Sequence, residues 1–367
     1  MDKIKRLSEI IVNHSIKVLE NEKVLITYQS NETMPLVKSL VLEILKHKGI
    51  PTIKYVDPEI SNLIKENLND KIIENKRNTL KFEVEEYDSF IQIKYTTSDY
   101  YDRFVDNVLN NKLKKALSKY KDIQVNKKKW VLLNYPSVID AYKAKMTYNK
   151  FYDYSMDVMT VDYDLMNKDM QPLKRLMEKT NKVRIKGEGT DITFSIKGLP
   201  AIICSGTSNI PDGEVFTAPV KNSVNGTITF NTNSPYDGYI FENISLTFKD
   251  GKITEAKCKN NSLKLNEILN TDEGSRYVGE FSFGLNPKIL KPSGDILFDE
   301  KIAGSIHFTP GSAYKECFNG NVSDIHWDMV LIQRKEYGGG EIYFDDVLIR
   351  KDGLFVLDEL KNLNYDR

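Results

Sequence analysis

The chain has 367 residues, and its 52 Lys and Arg are balanced by 52 Asp and Glu, so the formal net charge is zero. That balance argues against a general nucleic-acid or membrane-surface binder, which needs a basic face. The length is more than one core usually spans, so two domains are expected. No run of about 18 apolar residues occurs, so no membrane span is expected. The charged N-terminus MDKIKRLSEI lacks the apolar core of a signal peptide. The three cysteines, Cys204, Cys258 and Cys317, have neither zinc-ribbon nor redox spacing. An odd, sparse set fits a reducing, cytoplasmic setting.

Apolar side chains at Ile4, Leu7, Ile11 and Val18 give residues 3–20 a helical period. The run KVLITY at 23–28 predicts a strand. Residues 34–48 predict a helix, ended by Gly49 and Pro51. Further strands are expected over 52–56, 89–95 and 130–135, and helices around 60–68 and over 101–120. Strands alternating with helices imply crossover units and a parallel sheet, which binds ligands at its carboxyl edge. The nearest approach to a phosphate loop, KGEGTD at 186–191, runs into alternating residues and not into a helix, so a nucleotide site is not expected. Residues 137–180 read as a helical bridge. Asp153, Asp157, Asp162 and Asp164 there are expected to be solvated faces or caps.

From Val183 onward the period changes to that of strands, over 183–185, 192–196, 227–230 and 244–248. Asp250-Gly251 marks a hairpin turn, and Asp352-Gly353 repeats it after a run over 342–349. One helix is expected around 263–269. The expected fold is an α/β N-terminal domain with a parallel sheet over 1–180, bridge included. A mainly antiparallel α+β C-terminal domain covers 181–367.

The residues that carry chemistry fall in the second part. Glu214 follows a Pro-Asp-Gly turn, and Glu280 lies in GEFSFG. Glu300 precedes His307, which is followed by a Pro310-Gly311 turn and Tyr314. His326 and Asp328 are one residue apart in the β-type run 325–332. On a strand they would project side by side while Ile325, Trp327 and Met329 face the other way. Carboxylates with imidazoles suit Zn²⁺, Mn²⁺ or Co²⁺ rather than a thiolate-seeking ion. Two ions bridged by a carboxylate are one arrangement this set allows. Taken singly, each residue has an ordinary alternative: Glu214 as a turn carboxylate, Tyr314 as a core aromatic. His14 and His47, on helices beside lysines, are read as structural. No HExxH, no GxSxG and no Cys beside a His occurs, so zincin, serine and cysteine nucleophile chemistries are unsupported.

Four segments, NIPDGEVFTAPVKNSVNG (209–226), DEGSRYVGEFSFGLNP (272–287), IAGSIHFTPGSAY (302–314) and SDIHWDMV (323–330), resemble the thermophilic metalloaminopeptidase family of aminopeptidases T and S. The tail GGGEIYFDDVLI (338–349) is similar to that family's last hairpin, and ENEKVLI and IPTIKYVD resemble its first half more loosely. The resemblance implies a cytoplasmic homodimer with two divalent cations per subunit (Zn, Co or Mn). It would remove N-terminal residues from peptides with a free N-terminus through a water activated by both ions. The implied metal ligands are Glu214, Glu280, Glu300, His307, His326 and Asp328. Glu280 would be the bridging or water-activating carboxylate, and Tyr314 would bond a metal or the transition-state oxyanion. Ser275 and Thr309-Pro310 depart from the family pattern, and the Glu300-to-His307 gap also differs. Outside that resemblance two other readings stand: a non-catalytic small-ligand-binding protein with structural metals, and another metal-dependent amide hydrolase.

Overall fold

The computed structural model describes residues 2–98 and 107–365. The chain forms two compact units, Met1–Val161 with Gly206–Pro211, and Asp162–Ser205 with Asp212–Arg367. Among the described residues no helix is long and apolar enough to cross a membrane.

The first unit is built on a five-stranded sheet, in the order Ile50–Tyr55, Lys23–Tyr28, Ser89–Lys94, Lys129–Asn134 and Asn209–Ile210. Every pairing in it is parallel. Val24, Leu25, Ile26, Ile91, Ile93, Val131 and Leu133 are buried. Such continuous apolar runs belong to strands covered on both faces. The Met34–Lys46 helix buries Leu36, Val37, Leu40 and Ile44, the stripe that its period dictates.

Three local expectations needed revision in this unit. The N-terminal helix ends at Ile10 and continues as a π-helical turn, Ile11–Ser15. The helix expected around 60–68 is Pro58–Glu66, capped by Asp57. A further helix, Asp70–Glu86, was not anticipated. It buries only Ile73 and Val84, so its sequence carries little periodic signal. Of the helix expected over 101–120, residues 101–106 lie outside the described residues. The described helix runs Asn107–Lys127.

In the second unit the Tyr163–Lys179 helix, capped by Asp162, leads into two extended antiparallel sheets and a two-stranded ribbon, Ser234–Tyr236 with Tyr239–Phe241. The larger has eight strands, from Lys252–Lys257 at one edge to Leu354–Phe355 at the other. Asp250-Gly251 turns a hairpin as expected, with both residues at positive φ. The run 342–349 is not one strand. Asp345 and Asp346, also at positive φ, turn it into a second hairpin between Glu341–Phe344 and Val347–Lys351. Aspartates tolerate that backbone region better than most side chains, which is the signal the apolar pattern hid.

The smaller sheet has five strands, in the order Met329–Ile332, Ser305–Pro310, Val278–Gly284, Glu214–Thr217 and Ile202–Cys204. Its register pairs Ser282 with both His307 and Phe216, and Glu280 with Thr309. Side chains alternate across a sheet with period two. Phe281, Phe283 and Phe308 therefore share one face, and Glu214, Glu280, Ser282, His307 and Thr309 share the other. The phenylalanine face packs on the larger sheet. The Phe281 and Phe308 ring centroids lie 5.0 and 5.2 Å from that of Phe194, and the Phe283 ring lies 6.1 Å from Phe344. Burying these rings decides which face is left to carry the polar residues.

Candidate metal centre

The polar face gathers carboxylates and imidazoles contributed by four strands or strand ends. Glu214 opens its strand directly after Gly213. Glu280 lies in the central Val278–Gly284 strand, and His307 sits opposite Ser282 on the next one. His326 and Asp328 precede the Met329–Ile332 strand instead of lying within it, which corrects the expected strand over 325–332. His326 forms only an isolated bridge, with Gly311. Gly311, at a φ of +113°, permits this approach: a Cβ there would meet the Ile325 carbonyl oxygen at 2.2 Å. The expected Pro310-Gly311 turn is likewise revised, because Pro310 ends the strand that carries His307. The Asp272 carboxylate pins the segment before His326 by accepting from the Asp324 amide and the Ser323 hydroxyl. Ser275 completes a capping box with Asp272.

Both imidazoles are oriented by backbone carbonyls. His307 Nδ1 donates to the Glu300 carbonyl at 3.3 Å, and His326 Nδ1 donates to the Ser312 carbonyl at 2.9 Å. A carbonyl only accepts, so each ring directs Nε2 at the carboxylates. His307 Nε2 lies 3.2 Å from Glu280 Oε1 and 3.4 Å from Glu214 Oε2. His326 Nε2 lies 3.3 Å from Glu280 Oε2 and 3.3 Å from Asp328 Oδ1. Glu280 thus faces a different imidazole with each oxygen.

Among the described residues four sets of donor atoms lie mutually within 4.8 Å: Cys204–Asp212–Glu214, Glu214–Glu280–His307, Glu280–His326–Asp328 and Glu300–His307–Asp328. Ser282 donates its hydroxyl to Glu214 at 3.0 Å, and Thr309 donates to Asp328 at 2.7 Å. The second contact gives Thr309 a role in orienting the carboxylate.

Electrostatics match this picture. Burial pulls the Glu280 and Asp328 carboxyls up, but the neighbouring imidazoles outweigh it and hold both below the ordinary range. Burial lowers the His307 imidazole, yet its hydrogen bond to Glu280 and the charges of Glu214, Glu280 and Asp328 push it up to about 9. The same contest, with Asp328 the strongest opponent, leaves His326 well above its usual value. Glu300 is pushed up to about 8, first by burial and then by the charges of Asp328 and Glu214, despite Lys301 beside it. A site that raises imidazoles while crowding carboxylates is short of positive charge. Hard or borderline divalent cations with oxygen and nitrogen ligands supply that charge, so the donor set fits them.

Every predicted site residue belongs to this cluster or its rim. Tyr314 is at the rim, 47% exposed, with its ring 4.8 Å from that of His326 and 5.4 Å from that of Phe216. Desolvation of its hydroxyl, followed by the carboxylate charges, raises the phenol well above its usual value.

Two residues of the cluster escaped the sequence reading. Lys301, 1% exposed, places Nζ 2.6 Å from Glu214 Oε1 and 2.7 Å from Glu300 Oε1. Asp212, also buried, is 3.9 Å from the same ammonium. Burial disfavours the charged Lys301 amine, but Glu214, Glu300 and Asp212 outweigh it, and the ammonium is retained. A lysine in LFDEKIAG reads as solvated. Its apolar neighbours Phe298, Ile302 and Ala303, all buried, were the available hint.

Residues 1–355 match the family described as thermophilic metalloprotease (M29). Aminopeptidase AmpS of Bacillus subtilis is 35% identical over 142 residues, which is 35% of this chain and 34% of that one. Aminopeptidase T of Thermus thermophilus is 31% identical over 156 residues, 38% of this chain and 37% of its own. In these alignments the chain spans about a third of the length of the curated relatives it matches. The solved structure of wild-type AmpT from Thermus thermophilus superimposes with a TM-score of 0.81, covering 97% of this chain and 99% of that one. At 18% identity that likeness is one of fold. With the family match running over nearly its whole length, the chain belongs to the thermophilic metalloprotease family M29.

Proposed function

We propose that this protein is an aminopeptidase, a hydrolase that releases N-terminal residues from peptides with a free N-terminus. Two divalent cations, of Zn²⁺, Co²⁺ or Mn²⁺, would be held by Glu214, Glu280, His307, His326 and Asp328. The observation that carries this is the pair of ligand triads sharing Glu280, one oxygen toward each imidazole. Cations bound there would polarise the scissile carbonyl and lower the pKa of an attacking water. Glu280, held ionised, would either bridge the two cations or take the proton of that water and return it to the leaving amine. Tyr314, its phenol kept protonated, donates a hydrogen bond to the carbonyl oxygen as negative charge develops on it. Glu300 adds a carboxylate beside His307 and Asp328. We also assign to this proposal the homodimer and the cytoplasmic setting; light scattering of the purified protein tests the first.

Chelation should abolish hydrolysis of leucyl- and alanyl-anilides, and added Zn²⁺, Mn²⁺ or Co²⁺ should restore it. Glu280→Gln should lower turnover by about 10²–10⁴-fold. Hydrolysis that survives complete chelation defeats the proposal. Small-molecule binding without any hydrolysis would favour a ligand-binding protein, and cleavage of amides lacking a free α-amine would favour another amide hydrolase.

A further inference from the structure

Lys301 makes the two halves of this cluster unequal. Its ammonium takes Glu214 Oε1 at 2.6 Å and Glu300 Oε1 at 2.7 Å. Glu214 Oε2, the opposite oxygen of the same carboxylate, faces His307 Nε2 at 3.4 Å. On the other side, Glu280 Oε2 and Asp328 Oδ1 are paired with His326 and, for Asp328, with the Thr309 hydroxyl. Among the described residues, that triad pairs with no lysine or arginine. The other already shares a carboxylate with a fixed positive charge.

The geometry points to Lys301 as a resident cation that sets the order in which the site fills. It rests on the metal reading above. The first divalent ion goes to Glu280–His326–Asp328. The second, on Glu214 and His307, binds more weakly because it must share Glu214 with the ammonium and sit near it where little water screens them. Lys301 is a positioning residue here: it occupies one oxygen of Glu214, leaving the other to Ser282 and His307, and draws Glu300 toward itself. It also explains how so many buried carboxylates are tolerated before any ion arrives, since buried charges require partners.

The test is calorimetric titration of the metal-stripped, full-length protein with Mn²⁺ or Zn²⁺, with bound metal counted by elemental analysis. Wild type should bind in two resolved steps. Lys301→Met, which keeps much of the volume and removes the charge, should tighten the weaker step by at least about tenfold and leave the tighter one unchanged. Lys301→Arg should keep the two steps apart. His326→Ala should remove the tighter step and spare the weaker. A separate measurement needs no variant: anomalous scattering from crystals given one equivalent of Mn²⁺ should place the ion beside His326. An ion beside His307 instead, or a weaker step that Lys301→Met leaves unchanged or loosens, overturns the role of Lys301 while leaving the metal reading intact. Absence of any divalent-cation binding by wild type overturns the metal reading itself.

Discussion

At the scale of single residues, the cluster is held by contacts that do not themselves ligate. Thr309 keeps Asp328 turned toward His326 through a 2.7 Å hydrogen bond. Thr309→Val preserves the shape and removes that donor, so metal affinity should fall about 10–100-fold with little change in secondary structure. Competition with a fluorescent chelator measures it, and unchanged affinity would show that the hydroxyl is dispensable. The same residues set a pH dependence. His307 is raised to about 9, His326 is raised well above its ordinary value, and Glu300 is raised to about 8. Groups raised on folding contribute stability that is complete below their unfolded values and is lost as pH climbs through the folded ones. Glu280 and Asp328 are lowered, so their contribution is present above the unfolded carboxylate range and is lost on acidification. Metal-stripped protein should therefore melt at a higher temperature near about pH 6 than near about pH 9. Saturating metal should shrink or reverse that difference, because cations and protons compete for the same ligands. Thermal melts at the two pH values, with and without metal, decide it.

At the scale of elements, a close backbone approach brings the remote carboxylate and the buried lysine to the sheet. Gly284 ends the central strand, and a Cβ there would meet the Ile302 carbonyl oxygen at 2.3 Å and that of Glu300 at 2.9 Å. Only a bare Cα lets the 300–302 segment lie against this strand. Gly284→Ala should destabilise the protein by about 2–3 kcal/mol, as overpacking against immovable backbone does. It should also weaken metal binding, because Glu300 and Lys301 would shift with their segment. Urea unfolding of the metal-free variant separates the two effects. Much of this element was legible beforehand. The run Glu280-Phe281-Ser282-Phe283 alternates polar and apolar residues, which is a strand period, although in the fold both faces of that strand are buried. The placement of His326 and Asp328 beside each other was legible too. Their residence within a regular strand was not, because the Gly311 bridge takes the place of continuous pairing there.

At the scale of the whole molecule, every proposed ligand belongs to the second unit, while the parallel sheet forms the first. A cation that binds only the folded state stabilises it by about 2.7 kcal/mol at a concentration about 100 times its Kd. Hydrogen exchange should record that gain in the strands Glu214–Thr217, Val278–Gly284 and Ser305–Pro310. The Lys23–Tyr28 and Ser89–Lys94 strands should change less. Protection spread evenly over both units would mean that the metal acts on the fold as a whole and not on this site.

The amino-acid order by itself determined the alternating helix–strand plan of the first unit and the hairpin-rich character of the second. Both follow from local rules, side-chain period and turn backbone, whereas the proposed ligand set rested on the family resemblance of four segments. Only the tertiary structure decided that Lys301 reaches across 87 positions to Glu214, that Asp212 lies beside it, and that Glu280 divides its oxygens between two imidazoles. Those contacts depend on which face of the smaller sheet the packed phenylalanines leave free and on how closely a glycine lets two backbones approach. Neither is encoded within any one window of sequence.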